Sequence, residues 1–262
     1  MLDPEGVGLE IGPLNQPFMP KREGFRVQIV DLVGTEELRD LYRSHGVDVA
    51  TIEPVDHVVG DRTLSEALGD LGPVDWIVAG HVLEHIPDPV TFLRTIESIL
   101  TPTGRLVMAL PDKRYCVDHY GELTTAGHLV DAHLQQRTTP TPGQIVDHMA
   151  RSASVDGSIS WGKGAPGVPI PLFDRDLIRT NYEAALGGET FGGSIHLWRF
   201  TPESFRLLIE DLGVLGLTRL TIIEELDTLG AEFFVSLGIP DSTPAQGDRR
   251  VLLERSRTSH AL

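Results

Sequence analysis

The chain has 262 residues, 40% of them hydrophobic. That is enough for a substantial core, and one domain with an elaboration fits the length better than two full domains. Its 22 Lys and Arg stand against 38 Asp and Glu, a net charge of -16, which excludes a nucleic-acid backbone or an anionic membrane surface as a partner on electrostatic grounds.

One cysteine, Cys116, leaves neither an internal disulfide nor a cysteine-based zinc site, and fits a reducing compartment. The opening MLDPEGVG lacks a basic segment followed by an apolar one. No apolar run approaches the roughly 18 residues of a membrane span, so neither a secretion signal nor membrane insertion is expected. A cytoplasmic location is.

From the start of the chain, Val7 to Ile11 reads as a short strand ending in Gly12-Pro13. Phe25 to Val30 reads as a second strand ending in Asp31, and a helix follows with Thr35 as its N-cap. A weaker strand spans Ile52 to Val59, Gly60-Asp61 closes it, and a helix runs from about Thr63 to Leu71. The stretch Pro73 to Pro89, PVDWIVAGHVLEHIPDP, carries an apolar run up to Ala79-Gly80 and then a polar turn through His81, Glu84 and His85. It reads as a buried strand delivering a loop to the ligand edge of an open α/β sheet. Pro89 to Leu100 has apolar residues at helical spacing, Thr103-Gly104 ends that helix, and RLVMALPD is the next strand.

The alternation fails from about Cys116 to Ile195, a stretch rich in turn formers around two expected helices, Thr125 to Gln136 and Gly143 to Ser152. A structureless loop of that length is improbable in a compact domain, so the segment reads as an inserted cap. TPESFRLLIEDLG then forms a helix, LTRLTIIEEL and AEFFVSLGI an antiparallel hairpin, and the tail from Asp241 is polar and expected to be loose. The domain reading is residues 1-115 as a cofactor-binding half, 116-195 as a substrate-binding cap, 196-240 as the completion of the sheet, and 241-262 as a tail.

GLEIGPL, the terminal Asp31, DWIVAGHVLEHIPDP, ILTPTGRLVMALPD and the closing helix and hairpin resemble the successive motifs of class I S-adenosylmethionine-dependent methyltransferases. The resemblance covers nearly the whole chain except the cap and tail. EIGPL, HVLEHIPDP, ALPDKRY, LTTAGHL and HLWRFTPESF are further similar to bacterial O-methyltransferases of glycan and polysaccharide synthesis. It implies an α/β, Rossmann-like seven-stranded sheet, six strands parallel and the last antiparallel, with the cap inserted between strands 5 and 6.

It also implies a carbohydrate acceptor, such as a mannose-type polysaccharide or its precursor, and S-adenosyl-L-methionine as cofactor. A homodimer is among the assemblies considered. For the cofactor, the resemblance points to Glu10, Gly12 and Pro13 in the first motif, Asp31 as the ribose acid, Asp61 on the adenine side, and Gly80 with His81 after the fourth strand. The first turn, Gly12-Pro13-Leu14-Asn15, is reduced relative to the usual glycine-rich form. The GxGxxG spacing of a dinucleotide enzyme is absent.

O-methylation benefits from a general base, and the candidates are His128, His148 and His196 with Asp118. His85 reads as a helix-packing histidine satisfied by backbone, and Glu84 as a helix N-terminal acid. Lys113 and Arg114 are candidates for binding an acidic or hydroxyl-rich acceptor, and Trp161, Trp198 and Tyr182 for stacking on a sugar ring. No compact metal motif such as HExxH is present, so no metal is expected, although scattered histidines and aspartates leave a divalent ion open. Two alternative readings are a small-molecule methyltransferase of secondary metabolism and an inactive methyltransferase fold serving as a binding subunit.

Overall fold

The computed structural model describes residues 2–44, 46–240 and 248–258. Strand β1 (Gly8–Ile11) is buried along its whole length and leads to β2 (Val27–Asp31) and helix α1 (Thr35–Tyr42). Gly34, not Thr35, is the N-cap of α1. The Thr35 hydroxyl instead accepts the Val55 N–H at 2.9 Å. The weak third strand shrinks to β3 (His57–Val58), and α2 (Leu64–Leu68) starts with a reciprocal Thr63–Glu66 capping box.

Strand β4 (Val74–Gly80), helix α3 (Pro89–Ile99) and strand β5 (Leu100–Pro111) form the central strand, loop, helix, strand unit. Asp88 caps α3 through Thr91 N–H and Pro89 occupies its first turn. A single turn of 3₁₀ helix, Leu83–His85, lies between β4 and α3.

The expected cap contains three helices rather than two: α4 (Ala126–Leu134), α5 (Pro142–Arg151) and, beyond a small ladder of β6 (Ala153–Ser154) with β7 (Ile170–Pro171), α6 (Arg175–Leu186). The chain closes with α7 (Pro202–Val214), β8 (Thr221–Leu229), β9 (Glu232–Gly238) and α8 (Arg249–Thr258). The tail therefore differs from a loose segment: α8 packs on α7 with Leu252 buried. Residues 241–247 and 259–262 lie outside the described residues.

The sheet order is β3-β2-β1-β4-β5-β9-β8. Pairings among β1 to β5 are parallel, and β9 runs antiparallel to both β5 and β8. Six strands thus share one direction and one opposes them, as the class I methyltransferase resemblance implies. The order reverses between β1 and β4, and the crevice outside the carboxyl ends of these strands is where a sheet of this kind binds ligands.

The core runs from Leu9, Ile77 and Leu106 in the sheet to Phe205 and Leu208 on α7, and extends into the cap through Leu129, Ala132 and Ile145. A smaller cluster is built on Trp76 with Val27 and Val78. Its close packing explains Gly8: a methyl group there would lie 2.2 Å from the Trp76 ring. Gly8→Ala is expected to destabilise the fold by about 1–3 kcal/mol, the range for overpacking a filled core, read as a lower midpoint in urea unfolding.

Candidate functional site

Two sets of residues meet at the carboxyl edge of the sheet. The first lies beyond β1, β2 and β4. Gly12 adopts a left-handed conformation (φ 62°), and the missing Cβ would have only Val82 Cγ2 near it, at 3.5 Å, so the backbone is bare at the turn.

Glu10 is buried, and its carboxylate accepts the N–H groups of Phe18 (2.6 Å) and Met19 (3.1 Å). Burial raises its pKa against those two hydrogen bonds. Glu10 therefore ties down the loop after Gly12 and brings Phe18 across Gly80, where an added Cβ would come within 2.7 Å of the Phe18 ring. Pro13 lies within this loop, half-buried.

Asp31, at the end of β2, has its pKa raised by burial although its Oδ1 accepts the Leu32 N–H at 2.7 Å. Asp61 is exposed just past β3. His81 follows Gly80 in a left-handed conformation (φ 52°), unusual for a residue with a Cβ. Its Nε2 lies 2.5 Å from Glu232 Oε2 on β9 and its Nδ1 3.3 Å from Glu84 Oε1. Glu232 first and Glu84 second raise its pKa to about 10, so this ring is a cation rather than a base near neutral pH.

The second set is built from segments far apart in sequence. Backbone hydrogen bonds fasten the chain at Ile195–Trp198 to the Leu83–His85 turn: Leu197 N–H donates to Glu84 O at 2.7 Å, and Trp198 N–H to the same oxygen at 3.3 Å. The Trp198 indole N–H donates to Ile86 O at 2.6 Å, and His85 Nδ1–H to Ile195 O at 2.9 Å. This seam carries His196 into contact with His85, ring centroids 4.8 Å apart and edge to face.

On its other side, His196 Nδ1–H donates to Asp118 Oδ2 at 2.6 Å. Arg199 Nε approaches Asp118 Oδ1 at 3.4 Å, and the Cys116 thiol lies 3.8 Å from Oδ2. Burial alone would raise Asp118, but His196 and Arg199 outweigh it and hold the carboxyl below its ordinary range. Burial would lower His196, and Asp118 reverses this, so the imidazole is more basic than usual.

His148, on α5, contacts the same ring with its centroid 6.0 Å away. Its Nδ1 accepts the His196 backbone N–H at 3.2 Å, and burial lowers its pKa to about 4. A neutral ring with that lone pair engaged orients His196 rather than competing with it for a proton. His85 is also lowered by burial. Since Nδ1 carries the proton in both His85 and His196, each turns an Nε2 lone pair elsewhere.

Asp118, His148 and His196 are therefore brought together, whereas His128 is not one of the group. It is exposed, and its Nδ1 accepts the Thr125 N–H at 3.2 Å, closing the first turn of α4. Glu84, read as a helix N-terminal acid, does stand in the first turn of the 3₁₀ helix Leu83–His85, and it is wholly buried.

Lys113 and Arg114 are also engaged inside the fold. The Arg114 guanidinium spans the carboxylate of buried Asp112 (2.9 and 2.6 Å), and Lys113 Nζ donates to His119 O at 2.9 Å. Trp198 is buried in the seam, which removes it as a stacking surface. Trp161 is half-buried against His119, and Tyr182 is exposed on α6.

A family model described as a methyltransferase domain matches residues 6–150, more than half of the chain. The chain belongs to this methyltransferase family. It is an S-adenosylmethionine-dependent enzyme, and the matched region contains every strand of the crevice from β1 to β5. No helix among the described residues is long and apolar enough to cross a membrane.

Comparison with curated proteins gave no match. Among solved structures, the CcbJ methyltransferase from Streptomyces caelestis is 13% identical, with 89% of each chain covered and a TM-score of 0.43. The 1,6-didemethyltoxoflavin-N1-methyltransferase of Burkholderia thailandensis is 15% identical, with 90% of this chain and 72% of that one covered and a TM-score of 0.41. A Rhodobacter sphaeroides protein assigned as a Zn-dependent alcohol dehydrogenase is 11% identical, covers 91% and 86%, and has a TM-score of 0.47. The family match over residues 6–150 carries the assignment.

The residues at the first set fit the methyltransferase cofactor: a bare left-handed glycine at the first turn and a carboxylate at the end of the second strand. The histidine seam should be a structural unit of its own. Trp198→Phe removes the donor to Ile86 O and leaves that carbonyl without it, which is expected to cost about 1–3 kcal/mol. Faster exchange of the backbone amides at positions 197 and 198 than in the parent protein checks that the loss falls on the seam.

Proposed function

We propose that this methyltransferase transfers the methyl group of S-adenosylmethionine to a hydroxyl, and that the acceptor is a carbohydrate. The observation that carries the O-methyl reading is the Asp118–His196 pair at the carboxyl edge of β4 and β5, with His85 edge-on to His196. An amine acceptor brings its own lone pair when neutral. A sugar hydroxyl is a poor nucleophile while protonated, and a cluster of imidazoles with free Nε2 lone pairs is suited to relieving it of that proton. The carbohydrate part is supported by the EIGPL, HVLEHIPDP, ALPDKRY and HLWRFTPESF motifs, which resemble those of polysaccharide-associated enzymes.

In this reading Gly12, Asp31 and the backbone at Gly80 and His81 hold the cofactor, with Asp31 accepting hydrogen bonds from ribose hydroxyls. Glu10 is a positioning residue, acting through the Phe18–Met19 backbone. Asp118 fixes the tautomer of His196, and His148 holds the His196 backbone. The cofactor supplies an activated methyl electrophile: the acceptor oxygen gains the methyl, sulfur keeps the electron pair of the broken bond, and the hydroxyl proton leaves. What the protein must add is alignment of the acceptor and a sink for that proton.

The test separates the two sets of residues. Asp31→Ala should weaken S-adenosylmethionine binding by about 10–100-fold in isothermal titration, the equivalent of one hydrogen bond to a charged group. His196→Ala and Asp118→Asn should leave that affinity within a few-fold, and should lower kcat on a panel of methylatable sugars and oligosaccharides by about 100–10,000-fold. Turnover unaffected in both variants would remove the activation site from this cluster. Turnover confined to amine acceptors would replace O-methylation with N-methylation.

A further inference from the structure

Glu84 has no accessible surface, and neither of its carboxylate oxygens has a hydrogen-bond donor. The nearest cation, His81 Nδ1, stands 3.3 Å from Oε1 alone. That single contact, to an imidazolium shared with Glu232, leaves Oε2 unmet, and a buried carboxylate so incompletely compensated is unfavourable.

Beside it, His85 Nε2 lies 4.0 Å from Glu84 Oε1, and one ligand atom each from Glu84, His85 and His196 fall within 4.8 Å of one another. The outer hydrogen bonds point the same way. His196 gives its Nδ1–H to Asp118 and His85 its Nδ1–H to a backbone carbonyl, the arrangement that fixes a metal-binding imidazole with its Nε2 lone pair turned to the ion.

We propose that Glu84, His85 and His196 bind one divalent transition cation. Two imidazoles and one carboxylate favour manganese, iron, cobalt or zinc over magnesium or calcium, which prefer all-oxygen sets. Bonds to such ions are about 2.0–2.2 Å long, so the three side chains close inward on binding. Three protein ligands leave positions open. The inference rests on the reading that this cluster activates the acceptor, and it changes the means: with both Nε2 lone pairs on the ion, an acceptor hydroxyl in an open position would have its pKa lowered and would lose its proton to solvent rather than to an imidazole, with no change in the metal's oxidation state.

The ligands come from one turn and from a segment more than a hundred residues later, which is why no compact metal motif appears in the sequence. His81 does not replace the ion, because it reaches one oxygen of Glu84 and is itself bound more tightly to Glu232.

The experiment titrates the chelator-treated full chain with Co²⁺, followed by visible absorption and calorimetry. One equivalent should bind with ligand-field bands. Glu84→Gln and His85→Ala should each lose at least about tenfold in Co²⁺ affinity, and Asp118→Asn about 10–100-fold through His196. His128→Ala should match the parent. S-adenosylmethionine titrations of the same variants, with affinity retained, would show that the fold is intact.

Absence of stoichiometric Co²⁺ uptake, or uptake unmoved by Glu84→Gln, would overturn the metal site. A protein that binds S-adenosylmethionine but no Co²⁺ would keep the methyltransferase reading and lose this one. Uptake of Co²⁺ without S-adenosylmethionine binding would do the reverse.

Discussion

The site depends on the hydrogen-bonded seam between the turn after β4 and the segment that returns from the cap. Glu84 O accepts two backbone N–H groups from Leu197 and Trp198, while Ile86 O and Ile195 O accept side-chain donors from Trp198 and His85. None of these bonds is stronger than an ordinary one. Their effect is geometric, because together they bring a histidine from the far side of an 80-residue cap against the ligand edge of the sheet. Phe200 then pairs with Asp112 just beyond β5, so the returning chain is held at both ends of that edge.

Around the seam the protein concentrates buried charge. Asp118, Glu84, Lys113 and Arg199 are all almost wholly removed from solvent. Such groups cost desolvation energy, and breaking one partner away from a buried pair typically costs about 3–5 kcal/mol. Asp118 is compensated by His196 and Arg199, and Lys113 has its pKa lowered by burial and donates to a backbone carbonyl. Neighbouring imidazoles consequently differ: His81 is a firm cation, His148 a neutral ring, and His196 a strengthened base. Divergent protonation among adjacent groups is a mark of a site where protons are handled.

Much of the sheet was legible before the structure. β1 is buried throughout, the inner stretches Trp76–Ala79 of β4 and Met108–Pro111 of β5 are buried residue after residue and read as apolar runs, and the β8–β9 hairpin is close in sequence. Helix α6 escaped notice because only Ala185 of its twelve residues is buried, which leaves little apolar periodicity to read, although its Asp174 N-cap was a usable signal. His128 shows the opposite error. Its position three residues after Thr125 is the capping-box position, which a search for Glu or Gln at that site passes over. Asp118 and His196 were recognisable as chemical types, but their pairing across 78 residues of sequence was not. Glu84 was placed correctly in a first turn, but its burial was not legible for a related reason: the seam covers it, and nothing local announces that.

The most direct measurement is a crystal structure of the complex with S-adenosylhomocysteine. The account predicts that the ribose lies on Asp31 and the backbone follows Gly12, with the sulfur directed at His85 and His196. One hydroxyl should fit between them, its oxygen about 3–3.5 Å from where the methyl carbon would be. A sulfur facing away from the histidine seam, with no path for an acceptor between the two, would contradict it.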